Sequence, residues 1–210
     1  MAVDPLLRFL VVDAPLGRVL LVATSHGLAR VVLGPEDCMV GLLEQLSASM
    51  DPLAAGRGSP LLTALAGGLK RYFLGRRVDF SQVPLDLAGS TVFQREVWRL
   101  AAQIPYGGAR SYGWLAARLE GRGCARAVGQ ALARNPVPIV VPCHRVIEES
   151  GARGGFTAGE VWKGILLEIE GGEQRLKLRE RRVPEPPPTV EPHFDGPEAE
   201  ELGHGKENSS

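Results

Sequence analysis

Residues 6–33, LLRFLVVDAPLGRVLLVATSHGLARVVL, hold three short apolar, β-branched runs broken by DAPLG and TSHG. Such runs with turn punctuation between them predict antiparallel hairpins. Residues 38–50 and 60–75 carry a helical, 3.6-residue period. LGRRVDFSQVPLDLAG then reads as an extended connector, which places a boundary between Leu85 and Ser90. The chain divides into an N-terminal unit (1–88), a second unit (89–171) and a tail (172–210). At 210 residues there is length for two small domains with a real core.

The second unit changes character. In STVFQREVWRLAAQIPYG, Thr91 precedes Gln94 by three residues, a capping-box pattern. Phe93, Val97, Leu100 and Ala101 then fall on one helical face. SYGWLAARLEG follows, with Ser111 as N-cap, Leu115 and Leu119 on a stripe and Gly121 as stop. CARAVGQALARN is a third helix, so the pair reads as a helix-turn-helix. PVPIVV reads as a strand that delivers Cys143. ESGARGGFTAG is a glycine-rich loop, and EVWKGILLEIEGG is a helix with Val161, Ile165 and Ile169 in register. Beyond Gly172 the chain is basic, then rich in Pro and Glu, a composition that predicts disorder.

The formal charge is zero, but unevenly spread. Between Arg95 and Arg145 stand eight arginines against Glu96 and Glu120; from Pro184 onward there are seven acids and one lysine. The basic stretch suggests a polyanionic partner or, equally, a solvated helical surface. No run approaches the eighteen apolar residues of a membrane span, and Asp4 and Asp13 interrupt the apolar start, so neither anchor nor signal peptide is expected. Cys38, Cys124 and Cys143 form no CxxC and are odd in number, which fits a reducing intracellular compartment.

PCHRV concentrates the chemistry. A cysteine after an apolar run is often an inert core residue. Here Pro142 ends any ladder, and His144 and Arg145 follow directly, the kind of setting that stabilises a thiolate. In an extended strand His144 would face away from Cys143, so it can serve the sulfur only if the chain turns or a water bridges. The alternative base, His26, would have to cross from the first unit. A histidine base also needs an acceptor on its other nitrogen. Glu170, closing a helix where a carboxylate opposes the dipole, is a candidate, or else an exposed residue like Glu168. The helix ARAVGQALA offers few base-reading side chains: Arg126, Gln130 and Arg134 among small residues. That suits minor-groove approach with one long side chain as a wedge, or close helix packing.

PVPIVVPCHRVI, SYGWLA, ARAVGQALARNPVP and LLEIEG together resemble the O6-alkylguanine-DNA alkyltransferase family over residues 90–171; the first unit resembles its N-terminal domain more weakly. The resemblance implies an α/β (α+β) fold, with a ribonuclease-H-like N-terminal domain and a mainly helical C-terminal domain bearing a winged-helix or helix-turn-helix unit. It implies single-turnover transfer of an alkyl group from guanine O6, and by extension thymine O4, to Cys143. His144 would act through a water and be held by Glu170, with Asn135 bracing the turn. Tyr112 would approach N3 of the extruded guanine, and the carbonyls of Cys143 and Val146 would accept from its amino group. Phe156 would wall the pocket and Thr157 contact O6. Arg126 would fill the gap left by the flipped nucleotide, with Gln94, Tyr112, Gly113 and Gly121 against the duplex. The implied partner is double-stranded DNA containing O6-alkylguanine, bound through the minor groove with little sequence preference. No cofactor, metal or membrane is expected, and a monomer is. The compartment would be the nucleus, or the cytoplasm and nucleoid in a bacterium.

The sequence departs from the family's pattern at Phe156, where a tyrosine is expected, at Ala158, which replaces a glycine, and at Glu149, where a small polar residue is usual. Three other readings compete. A lesion-binding relative would lack the cysteine, a Cys-His hydrolase would turn over without needing Arg126, and a helix-turn-helix regulator would want more base-reading side chains.

Overall fold

The computed structural model describes residues 7–34, 39, 59–119 and 124–171. Strands β1 (Arg8–Ala14), β2 (Gly17–Ala23) and β3 (Leu28–Gly34) form an antiparallel sheet in that order. Ala14 pairs with Gly17 across a two-residue turn. The second turn closes on Gly27, at φ +148°, where a Cβ would lie 2.4 Å from the Pro84 carbonyl oxygen. Only glycine lets the connector lie that close, and Leu28 N–H then donates to Pro84 O at 2.8 Å.

Strand β2 is central and buries both faces. Val19, Leu21 and Ala23 join the main core, while Leu20 and Val22 pack with Met39 on the other side, as the two-residue alternation of a strand requires. Helix α1 (Pro60–Phe73) covers the sheet. Ser59 caps it by accepting from Leu62 N–H, and Leu62, Leu65, Leu69 and Tyr72 form its buried stripe. The helix expected over 38–50 lies outside the described residues apart from Met39, as do Cys38, Gly121 and the tail.

Helix α2 (Val92–Ala102) begins with the capping box read from the sequence: Gln94 N–H donates to Thr91 Oγ1 and Thr91 N–H to Gln94 Oε1. Its Trp98 donates Nε1–H to Ala131 O in α4. Helices α3 (Tyr112–Ala116, capped by Ser111) and α4 (Ala125–Ala133) pack together, and α5 (Glu160–Ile169) closes the unit. Short strands β4 (Arg110–Ser111) and β5 (Val146–Ile147) pair in parallel. One core runs from the sheet through α1–α5 to Cys143, and the edge of β3 is tied to the second unit by Val31 N–H donating to Pro136 O at 2.8 Å. The fold is the mixed α/β class expected, a small sheet unit followed by a helical one.

Two local expectations are corrected. PVPIVV is a buried turn, not a strand: Val141 N–H donates to Val137 O at 2.9 Å, and Ile139 sits at φ +74°. Pro136 and Pro138 lack the N–H groups a ladder needs. In α5 the buried side carries Trp162, Leu166 and Leu167, whereas Val161 is 66% exposed. Two apolar stripes compete on this helix. The one bearing Trp162, whose ring lies 6.5 Å from Phe73 of α1, faces inward.

Candidate active site

The segment from Val137 to Ile147 is buried at every residue. Its polar groups therefore need internal partners, and Asn135 provides several. Its Nδ2 donates to Val141 O and to Cys143 Sγ, both at 3.0 Å, and its Oδ1 accepts from Val137 N–H. The carboxamide thus holds the turn closed and fixes the sulfur. Ile139 at positive φ is a strained conformation for a β-branched residue, of a kind that persists only where the surroundings over-determine it.

Cys143–Arg145 form a single 3-10 turn. The turn removes the strand geometry that would have set His144 opposite Cys143. His144 is fully buried, and its Nε2 lies 2.9 Å from Glu170 Oε1. Nδ1 is buried with no protein partner. The carboxylate accepts five hydrogen bonds' worth of donors: His144 and Tyr72 OH (2.7 Å) on Oε1, Gly107 N–H (2.9 Å) on Oε2, and Arg145 across both. Burial alone would push the Glu170 carboxyl up, but the hydrogen bonds and charges of His144 and Arg145 hold it well below the usual range. Gly107 is obligatory in this cradle: at φ +71° a Cβ would meet Glu170 O at 2.8 Å.

Arg145 corrects the charge argument. It is 9% exposed, donating to Glu170 and to Ile104 O at 2.6 Å, and belongs to the buried cluster around Glu170, not to a basic surface. It is not what acts on the thiol either. Burial raises Cys143 to about 11, with the Asn135 hydrogen bond and the Lys163 charge opposing. Cys143 rests as a thiol and needs a base. Burial lowers His144 below its ordinary value despite Glu170, so the imidazole is neutral near pH 7 and able to take a proton.

A second cluster lies around Tyr112. Its hydroxyl donates to Gly155 O at 3.3 Å and stands 3.5 Å from Lys163 Nζ. Its pKa is raised by burial and by Cys143 and Glu148, so it stays protonated. Lys163, which has no surface exposure, also donates to Val146 O at 2.7 Å and Gly155 O at 3.2 Å. Burial lowers it to about 8. Val146 O thus has one donor, and Cys143 O accepts from Val146 N–H; each carbonyl keeps a second lone pair. Phe156 sets its ring edge-on to His144 at 6.4 Å. The Thr157 hydroxyl is directed to Leu132 O and Ala133 O at the end of α4.

Arg126, Gln130 and Arg134 are exposed along α4. A Cβ on Gly129 would meet the Tyr112 ring at 3.7 Å, an ordinary contact, which places this face of the helix beside the pocket. The Gln94 carbonyl is engaged in its cap. Gly113 is exposed, with Glu149 Oε2 beside it. A cavity of about 620 Å³ opens between β3 and the end of α4, lined by Arg30, Arg134, Asn135 and Thr157; Cys143 does not line it. Among the described residues, no three His, Cys, Asp or Glu side chains converge to hold a metal ion, and no helix is long and apolar enough to cross a membrane.

The sequence reading missed Tyr72, Arg145 and Lys163. Lys163 left a signal, a lysine inside the apolar VWKGILL. Tyr72 left a weaker one, since a tyrosine on a buried stripe must find a partner for its hydroxyl.

Residues 7–87 match the family described as 6-O-methylguanine DNA methyltransferase, ribonuclease-like domain, and residues 92–172 its DNA binding domain. The constitutive methylated-DNA–protein-cysteine methyltransferase of Bacillus subtilis is 36% identical over 80% of this chain and 96% of its own length. That of Mycolicibacterium paratuberculosis is 48% identical over 51% of this chain. The match spans 66% of that relative, and 61% of the Mycobacterium leprae relative. The crystal structure of Mycobacterium tuberculosis OGT in complex with DNA superposes with a TM-score of 0.60 at 38% identity, covering 78% of this chain and 91% of that one.

Proposed function

Because the chain belongs to the 6-O-methylguanine DNA methyltransferase family, we propose that it repairs O6-alkylguanine in double-stranded DNA by moving the alkyl group, once, onto Cys143. The observation that carries this reading is the pairing of a buried thiol held by Asn135 with a neutral His144 whose Nε2 is committed to Glu170 and whose Nδ1 is unpartnered.

The steps follow from that geometry. His144 Nδ1 accepts the Cys143 proton through a bridging water. The thiolate attacks the alkyl carbon as the bond to guanine O6 breaks, and S–C replaces O–C. Tyr112 OH gives a proton to guanine N3, so the base leaves neutral. The solvent then takes the proton from imidazolium and returns one to the phenolate. The thioether has no carbonyl for water to attack, so the protein is consumed.

The alkyl carbon lies inside a duplex, so the nucleotide must be extruded. Arg126, long, exposed and on a small-residue helix, suits the gap left in the stack, with Gln94, Gly113 and Gly121 near the backbone. Minor-groove binding with little sequence preference fits α4, which offers few base readers. Thr157 and Phe156 flank the base. The Thr157 hydroxyl would turn from the α4 carbonyls to reach O6, and thymine O4 would be handled in the same way.

The test is the mass of the protein after mixing with excess O6-methylguanine oligonucleotide. One added methyl, on the peptide containing Cys143, is expected, and Cys143→Ala should bind the damaged duplex without transfer. Repeated turnover, or label on Cys124, would refute the reading.

A further inference from the structure

We propose that Tyr72 is a positioning residue of the thiol-activating relay, so that the N-terminal unit completes the active site. The inference rests on the function proposed above. Tyr72 lies on α1, within the segment matching the ribonuclease-like domain; Cys143, His144 and Glu170 all lie within the other matched segment. Its side chain is 1% exposed and reaches across the boundary.

Tyr72 OH lies 2.7 Å from Glu170 Oε1 and 3.4 Å from His144 Nε2. The phenol has one proton, and the shorter contact with the ionised oxygen claims it. Burial and the Glu170 charge raise the Tyr72 pKa well above its ordinary value, so the phenol is a fixed donor. His144 Nε2 shares Oε1. The ionised Oε1 can only accept, so Nε2 carries the ring proton and Nδ1 keeps its lone pair for Cys143. By donating to the same oxygen, Tyr72 holds it in place and withdraws part of the carboxylate charge from the imidazole.

The groups facing His144 are Glu170 and Lys163 from α5, Arg145 and Cys143 on its own turn, and Tyr72 from α1, with Tyr106 packed edge-on to the Tyr72 ring at 6.0 Å. Among the described residues, only Tyr72 comes from the N-terminal unit. Arg145 and Gly107 keep Glu170 satisfied without it, so Tyr72→Phe should fold.

The experiment compares full-length wild type, Tyr72→Phe and Phe73→Leu. The last disturbs the packing of the same helix end on Trp162 and leaves the phenol in place. Single-turnover transfer from free O6-methylguanine base and from duplex is followed against pH, and His144 is titrated by imidazole ¹⁵N shifts. Tyr72→Phe should slow both substrates equally, about threefold to tenfold. With Glu170 less neutralised, His144 should titrate at higher pH, moving the acidic limb of the rate profile upward. Phe73→Leu should leave the limb in place. A slower Tyr72→Phe with an unmoved limb and unmoved His144 titration assigns Tyr72 to packing and overturns the proposal. If wild type transfers nothing, the alkyltransfer reading fails, while the His144 titration still decides the role of Tyr72.

Discussion

Helix α4 and the turn that follows it are neighbours in the chain and opposite in construction. The helix shows Arg126, Gln130 and Arg134 to solvent, and its Cys124 N-cap makes no side-chain hydrogen bond. The turn is buried throughout, and its amide, thiol, imidazole, guanidinium and carboxylate interlock. Contacts with a polyanion are individually modest and partly interchangeable. A displacement at carbon requires a sulfur and a base held within tenths of an ångström. The difference teaches that a substitution on the helix should cost function alone, whereas one in the turn should cost function and fold together.

The sharpest way to break that contrast is Asn135→Ala. It strands Val137 N–H in a buried site, leaves Val141 O with the Cys143 N–H alone and frees the thiol, so stability should fall by about 1–3 kcal/mol. Transfer should slow about a hundredfold on every substrate. Urea denaturation and single-turnover rates check both; an intact fold with slow chemistry would show that the two functions of the turn separate.

Arg126→Ala is the complementary probe. On the extrusion role proposed for it, its loss should slow duplex repair roughly tenfold to a hundredfold, since extrusion costs a few kcal/mol, with the free base reacting at nearly the normal rate and the melting temperature unchanged. Equal slowing on both substrates would move Arg126 from extrusion to the chemistry.

The smallest effect concerns pH. The folded pKa of His144 is lowered, so the stability of its neutral form is fully present above its ordinary value of 6.5 and is lost progressively below it, as the pH falls toward the lowered folded value. Glu170 is also depressed, and its contribution persists above the ordinary carboxyl range and fades only in stronger acid. Stability should therefore fall as the pH is lowered from about 7 toward 5. His144→Asn should flatten that drop in a denaturation series.

Much of the fold was legible because its signals are local. The three hairpin runs, the Thr91–Gln94 box and the Ser111 cap each depend on residues within a few positions of one another. PVPIVV misled because β-branched composition is shared by strands and by buried turns, and only its prolines hinted at the second. Cys143, His144, Glu170 and Asn135 could be nominated from the PCHRV motif and the family resemblance. Tyr72 could not, since its partner lies 98 residues away. Arg145 looked like one more surface cation until its carboxylate was seen.

Asn135 Nδ2 donates to the sulfur of Cys143, a residue 4% exposed in close-packed surroundings. On the proposed transfer that sulfur gains a carbon, and a thioether is a poor acceptor for the amide. Overpacking a core costs about 1–3 kcal/mol, a sizeable part of the 5–15 kcal/mol that holds a typical domain together. Each repair event would therefore leave a physical record in the protein's own durability. The spent molecule should unfold more readily, expose the core it shares with the sheet, and be distinguishable from an unused one by any machinery that samples unfolded chains.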